Sequence, residues 1–232
     1  MSSIFDLHVH TNEGSQDSAL APEEFIQEAH RLGINGAVFT EHDGWQGNRF
    51  LDYVNNREDD GIVLIHALEV YTTMGHIIVF GLKGYKPGMK DVPTLRKYVD
   101  EVGGFMIIAH PFRFFFPPHG IFTSNVLFED PNQLPVTPEE AVQMHPIFKL
   151  VDEVEAVNGA NDTAENAFAK EAARALGKPG TGGSDCHSKH GIARGCTVFD
   201  GDIRHERDLL DALRAGAYNP AYMIRGELNI LS

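Results

Sequence analysis

Along the chain, short continuous apolar runs alternate with segments whose apolar residues recur every three to four positions. That is the pattern of buried strands interleaved with amphipathic helices. Residues 4–10, IFDLHVH, read as a strand; alternate strand residues share a face, so His8 and His10 aim together while Leu7 and Val9 pack the other way. Residues 22–32 are a predicted helix, with Pro22 in its first turn, Phe25, Ile26, Ala29 and Leu32 on one face, and Gly33 as the stop. Strands follow at 36–40, 62–71 and 76–82, then a helix at 93–102 and a wholly apolar strand at 105–109, of the kind found in parallel cores. Residues 111–135 break the rhythm: PFRFFFPPHGIF at its start reads as a long loop or lid. Beyond it the pattern predicts a helix at 138–149, a strand at 154–157, and a helix opened by an Asp162–Glu165 capping box and running to Leu176. A strand at 197–199, a helix at 204–215 stopped by Gly216, and a last strand at 222–225 complete the chain.

This alternation predicts an α/β fold built on a parallel sheet or barrel, forming a single domain over 1–232 with an inserted loop at about 111–135. In either architecture functional residues gather beyond the C-terminal ends of the strands.

Composition narrows the class. The chain has 232 residues, 42% of them apolar, enough for a sizeable core. No apolar run stands behind basic residues at the start and none is long enough to span a membrane, so neither a secretory leader nor a membrane anchor is expected. Two cysteines, Cys186 and Cys196, make no disulfide framework, and a cytoplasmic location is expected. The net charge of −14 argues against stable binding to nucleic acid backbones. It leaves room for a small phosphorylated substrate, because divalent cations reverse the field locally. Oligomeric state is not legible.

The chemistry stands at the strand ends. His8 and His10 end the first strand, His42 in VFTEHD the second, and His110 in FMIIAHP the strand at 105–109. Glu69 lies in HALEV, His76 opens GHIIVFGL, Asp17 follows the first strand, and Asp185 and His187 lie in GGSDCHS. Any one of these can be an ordinary polar residue. Apolar strands that repeatedly finish in histidine and carboxylate, with few lysines or arginines nearby, need cations to neutralise them. Such donors suit zinc, manganese or iron.

DLHVHT, TEHD, AHP and GSDCH, in this order, resemble the polymerase and histidinol phosphatase (PHP) family, and the resemblance runs from residue 4 to about residue 200. It implies a distorted (β/α)7 barrel, a centre of two or three divalent metal ions (Mn, Zn or Fe) at the C-terminal ends of the strands, and phosphoester hydrolysis. By that resemblance His8, His10, Asp185 and Glu69 hold a first metal, and Glu69 bridges to a second held by His76 and His110. Asp17, His42 and His187 hold a third. Glu41 departs from the more usual aspartate before the histidine. Glu155, with Asn158, stands either behind the second metal or paired with a basic neighbour.

The reaction expected is hydrolysis of a small phosphate monoester by a hydroxide bridging two metals, with His187 or Asp43 protonating the leaving group. Arg113 and Arg194 are the expected phosphate clamps, and Lys189 and His190 flank the same loop. Phe114, Phe115 and Phe116 either stack on a substrate ring or fold onto the barrel's own apolar rim; Trp45 has the same two readings. Cys186 is read as packing. His30, His66, His119, His145 and His205 are read as structural or surface residues. The alternatives are a phosphodiesterase acting on cyclic phosphates or oligonucleotide ends, an amidohydrolase-type deaminase, and a catalytically silent metal-binding module.

Overall fold

In the computed structural model, which describes residues 2–57, 59–116, 125–130 and 132–231, the chain runs β1 (Ser3–Val9), α1 (Pro22–Leu32), β2 (Gly36–Glu41), α2 (Arg49–Asn56), β3 (Val63–Thr72) and β4 (Gly75–Phe80). It continues through α3 (Val92–Glu101), β5 (Phe105–Ile108), α4 (Pro138–Met144), β6 (Glu153–Asn158), α5 (Thr163–Ala175), β7 (Thr181–Gly183), β8 (Cys196–Phe199), α6 (Glu206–Ala215), β9 (Tyr218–Ile224) and β10 (Glu227–Ile230). The sheet order is β10-β9-β8-β1-β2-β3-β4-β5-β6-β7. β1, β2 and β3 are mutually parallel, as are β5, β6 and β7, while β4 runs antiparallel between the two sets. The sheet curls until the segment after β7 returns to β1: Asp185 N–H donates to His8 O at 2.7 Å and His10 N–H to Cys186 O at 3.1 Å.

The expected α/β character holds, in a curled sheet of mixed direction. A strict repeat of seven βα units is not what is seen, because β3 enters β4 through a tight hairpin and no helix separates them. That hairpin matters for position. Reversed β4 brings its first residues, Gly75 and His76, to the same end as the finishing residues of β3 and β5.

Local chemistry explains the element ends. α1 starts with Pro22, Glu24 reaches back to accept the Ala21 N–H at 3.2 Å, and Gly33 closes it at φ 71°. The capping box of α5 is present: the Asp162 side chain accepts from Glu165 N–H at 2.9 Å, and Glu165 from Asp162 N–H at 3.1 Å. The predicted helix at 138–149 is broken instead. Pro146 has no N–H to continue α4, and a 3₁₀ turn over Pro146–Lys149 follows.

The pattern missed α2, β7 and β10. β7 is Thr-Gly-Gly, with no apolar signature; a Cβ on Gly182 would stand 2.2 Å from Cys196 O, and one on Gly183 2.3 Å from His8 Cβ. Only glycine permits that approach.

One cluster is formed by Phe5, Leu7, Val38, Ile65, Ala67, Ile78 and Ile107, with Leu209 and Leu213 of α6. Val9 packs elsewhere, with Phe25 and Phe39 beneath α1. The sequence expectation that Leu7 and Val9 pack together therefore fails: the β1–β2 register shifts between Asp6 and Val9. That irregularity re-aims side chains, and His8 and His10 still converge, with their Nε2 atoms 3.1 Å apart. Among the described residues no helix is long and apolar enough to cross a membrane.

Candidate metal centre

The strand ends deliver all nine candidate donors to one place. Glu69, on β3, is 1% exposed and stands at the middle. Its Oε2 lies 3.5 Å from His8 Nε2, 3.3 Å from His10 Nε2 and 3.2 Å from His42 Nδ1. Its Oε1 lies 3.1 Å from His76 Nδ1 and 3.0 Å from His110 Nε2. Asp185 Oδ1 closes the first set, 3.5 Å from His8 Nε2 and 3.3 Å from His10 Nε2. A further set faces the opening, where Asp17 Oδ2 is 3.3 Å from His42 Nε2 and 3.4 Å from His187 Nε2.

These spacings fit cations. Four donors placed tetrahedrally at ~2.1 Å around an ion are separated by ~3.4 Å. The five separations recorded among His8 Nε2, His10 Nε2, Glu69 Oε2 and Asp185 Oδ1 run from 3.1 to 3.5 Å. Three of the groups able to hold a metal are His8–His10–Glu69, Glu69–His76–His110 and His10–His42–His187. The donors are borderline nitrogen and hard oxygen, with no thiolate.

Without a cation, protons take its place. Burial opposes charge on His8, but Asp185, Glu155 and Glu69 hold its imidazolium well above the ordinary histidine value. Burial also opposes charge on His10, yet Asp185 and Glu69 raise it to about 9. Burial would push the carboxyl groups of Glu69 and Asp185 up; His8 and the other histidines instead draw both well below the carboxylate range. His42 differs, with burial and its neighbour His10 lowering it.

Two of these residues sit in strained backbone. His110 has φ 30° and Asp185 φ 54°, a left-handed region that costs a non-glycine residue on the order of 1–3 kcal/mol at most. Both are pinned: His110 N–H donates to Glu155 Oε2 at 2.7 Å, and Asp185 N–H to His8 O.

The residues behind the donors decide how they point. Glu155 is buried, and its Oε1 lies 2.9 Å from His8 Nδ1. A carboxylate only accepts, so Nδ1 carries the proton and Nε2 is left for a metal. Glu155 Oε2 also accepts from Asn158 Nδ2 at 3.0 Å. The two sequence readings meet in one residue: Glu155 stands behind the donors His8 and His110, and the basic neighbour it pairs with is His8 itself. Glu155→Gln offers one acceptor and one donor to three N–H groups, so one donor must face another. The expected result is a 10- to 100-fold loss of metal affinity, measured by competition with a chelator, with the far-UV circular dichroism of the fold retained.

Sequence reasoning passed over Asp6 and recorded Glu41 only as a departure. Asp6 is fully buried and accepts N–H bonds from Ser184 at 2.8 Å, Ala193 at 2.9 Å and His8 at 3.3 Å, tying the Asp185 loop to β1. Burial pushes its carboxyl up to about 6. Glu41 accepts from Thr11 N–H at 3.0 Å, from the Thr11 hydroxyl, from Ser15 Oγ at 2.7 Å and from Trp45 Nε1 at 3.1 Å. Ser15 in turn stands 3.3 Å from His10 Nδ1 and takes the His42 N–H at 3.0 Å. Glu41 thus organises the loop that carries Asp17. A Cβ on Gly14 would lie 2.6 Å from Glu41 Cγ, so the side chain needs glycine opposite it. Four donors converging on a buried carboxylate leave no periodic trace in a sequence.

Of the expected phosphate clamps, Arg113 reaches the centre and Arg194 does not. Arg113 Nη2 donates to Asp185 Oδ2 at 2.6 Å and to Asn158 Oδ1 at 2.8 Å, and its Nε to Asn161 Oδ1 at 2.9 Å. Arg194 is exposed, packed beside Gly159, with no contact to the nine donors among the described residues. Lys189 and His190 are exposed near Glu28 of α1. Asp43 is exposed, its backbone N–H bonded to Gly14 O.

Phe115 is buried against Phe112, Phe128 and Phe168, the apolar-rim reading, whereas Phe114 is 60% and Phe116 37% exposed. Within the proposed lid, residues 117–124 and 131 lie outside the described residues, and His119 with them. Trp45 is buried and serves Glu41. Cys186 is buried in the Val9 and Phe25 cluster, where burial pushes its thiol up, as a packing role requires. His205 caps α6 and His145 the 3₁₀ turn. A cavity of about 750 Å³, lined by Trp45, Phe50, His66 and Ile203, involves none of the nine donors.

The sequence model of the family described as PHP domain matches residues 6–170, and one described as PHP-associated matches residues 163–218. No curated protein matches the chain. Among solved structures, PsfC from Pseudomonas syringae is similar at 17% identity and TM-score 0.67, over 97% of this chain and 93% of that one. A protein provisionally described as a metal-dependent phosphoesterase, from Bifidobacterium adolescentis, matches at 15% identity and TM-score 0.57, over 90% and 95%. The lesion-specific endonuclease PfuEndoQ from Pyrococcus furiosus matches at 14% and TM-score 0.57, over 95% of this chain but 58% of its own. At these identities the likeness is one of fold.

Proposed function

This chain belongs to the PHP domain family, and on that premise we propose that it is a metal-dependent phosphoesterase acting on small phosphate monoesters. The observation that carries the reading is the division of Glu69: one oxygen faces His8, His10 and His42, the other His76 and His110. A carboxylate so placed would serve two neighbouring cation sites, and two such ions would supply the charge that in-line displacement at phosphorus needs.

His8, His10, Asp185 and Glu69 would hold one ion, Glu69, His76 and His110 a second, and Asp17, His42 and His187 a third. Manganese, zinc or iron held there supplies Lewis acidity, making a water acidic enough to attack and neutralising phosphoryl charge. The protein's own groups do the rest. Arg113, fixed on Asp185 by Asn158 and Asn161, lends permanent positive charge where the phosphoryl group lies. Glu155 keeps the tautomer of His8, and Glu41 holds the Asp17 loop. His187 and Asp43 are assigned to the proton of the leaving oxygen; His187 is the better held, its Nδ1 3.1 Å from Asp185 O. Arg194 keeps a place only for the distal part of a substrate. The net charge of −14 supports a small phosphorylated partner over a nucleic acid, and a cytoplasmic setting goes with the two unpaired cysteines.

The test is phosphate release by the manganese-loaded protein from a panel of phosphomonoesters and phosphodiesters. Monoester turnover that disappears in His10→Ala and Asp185→Ala is the expected result. Turnover of diesters alone would replace the monoester reading with a phosphodiesterase. No turnover of either, from protein of verified metal content, would overturn the phosphoesterase reading and favour a silent metal-binding module.

A further inference from the structure

Tyr71 belongs to none of the three donor sets, yet it stands between two of them. It follows Glu69 by two residues on β3 and pairs across the sheet with His76. Strand alternation therefore gives it the face that Glu69 uses. Its ring packs against His42 at 5.0 Å and edge-on against His76 at 4.2 Å. The rings fix it, but 46% of the residue is exposed, so one side looks out of the opening. Its hydroxyl lies 3.3 Å from His42 Nε2.

That nitrogen is also the one 3.3 Å from Asp17 Oδ2. An imidazole nitrogen has one proton or one lone pair, never both. When His42 Nε2 gives its lone pair to a cation, it can no longer accept from Tyr71. The ring packs against both histidines. Its O–H is then released to turn towards an acceptor that fills the open side of the third donor set. The charged groups that surround Tyr71 are Glu69, Asp17, Asp185 and Asp43, all acceptors when ionised. Arg113 lies on the other side of the centre, against Asp185. An anionic oxygen on the His42 side therefore has the phenol as its neutral donor.

We propose that Tyr71 is a substrate-binding residue, whose hydroxyl donates a hydrogen bond to a phosphoryl oxygen held against Asp17, His42 and His187. The assignment rests on the phosphoesterase reading and names how one side of the phosphoryl group is gripped. Tyr71→Phe keeps the ring packing and removes only the hydroxyl.

The experiment is calorimetric titration of inorganic phosphate into manganese-loaded wild-type and Tyr71→Phe protein, with metal content measured on the same samples. Loss of a hydrogen bond to a charged group is expected to weaken phosphate binding by about tenfold or more, with metal content unchanged and KM for a turned-over monoester raised in step. Phosphate affinity within twofold of wild type overturns the assignment. So does the loss of one metal ion per chain, which would make the phenol a support of the third donor set. Wild-type protein that binds phosphate but turns over no ester fails the functional reading alone, because the comparison of phosphate affinities still decides the role of Tyr71.

Discussion

Replacing Glu69 by glutamine is expected to abolish metal loading and, with it, hydrolysis. The change is almost isosteric, so its effect is electronic. Glu69 is the buried carboxylate within 3.5 Å of five histidine nitrogens, and it serves both the first and the second donor set. A glutamine in its place turns an N–H₂ towards one of those sets and removes the negative charge from both. Residues behind a metal ligand typically cost 10- to 100-fold in affinity or activity; a ligand common to two ions is expected to exceed ~100-fold in both. Elemental analysis after gel filtration and phosphate release from the best monoester provide the measurement. Retention of two ions per chain in Glu69→Gln would mean that Glu69 is not the bridge, and the division of its oxygens would need another explanation.

The second large effect concerns the protein stripped of metal. His8 and His10 are then held protonated by the carboxylates, His10 to about 9 and His8 well above the ordinary value. A histidine whose folded pKa exceeds its unfolded value of ~6.5 binds more protons in the folded state between those limits. Its stabilisation is complete below the unfolded pKa and disappears as pH rises through the folded one. For His10 that window runs from ~6.5 to about 9, and the proton there contributes about 3 kcal/mol. Metal-free protein is therefore expected to lose at least 6 °C of Tm, roughly, between pH 6.5 and 9. Metal-loaded protein should show the opposite trend, because ions displace those protons and bind more tightly as pH rises. Thermal melts in chelator and in excess manganese at both pH values test this. A flat Tm in chelator would show that the two histidines are not held protonated by Glu69 and Asp185.

Both effects depend on residues that were visible in the chain as a list, though not as an arrangement. The motifs DLHVHT, TEHD, AHP and GSDCH supplied six of the nine donors, and only as positions: the first three stand where an apolar run ends, and a strand end is where an α/β fold exposes chemistry. Pro22, Gly33 and the Asp162–Glu165 box likewise set helix ends by local bonding alone. Such signals are legible because their partners lie within four residues.

What stayed hidden were long-range partners and close approaches. Glu155 meets His8 across 147 positions, Ser184 N–H meets Asp6 across 178, and Glu41 meets Ser15 across 26. No periodicity encodes such a pairing, since it exists only once the sheet has curled. β7 escaped notice because its two glycines answer to steric contact with Cys196 and His8, not to hydrophobic burial. Arg113 and Arg194 looked alike as residues near motifs; only the fold set one on Asp185 and left the other in solvent.

The sequence by itself determined the inventory: an α/β alternation, histidines and carboxylates at the strand ends, and a family resemblance carried by their order. Those follow from local bonding and from the partition of apolar residues, which act on neighbours in the chain. The tertiary structure decided which oxygen of Glu69 faces which histidines, which nitrogen of His8 is kept for a metal, and that Tyr71 stands between two donor sets. Those are properties of directions and of distances near 3 Å, and they are fixed only when β1 and the segment after β7 close the curl from opposite ends of the chain.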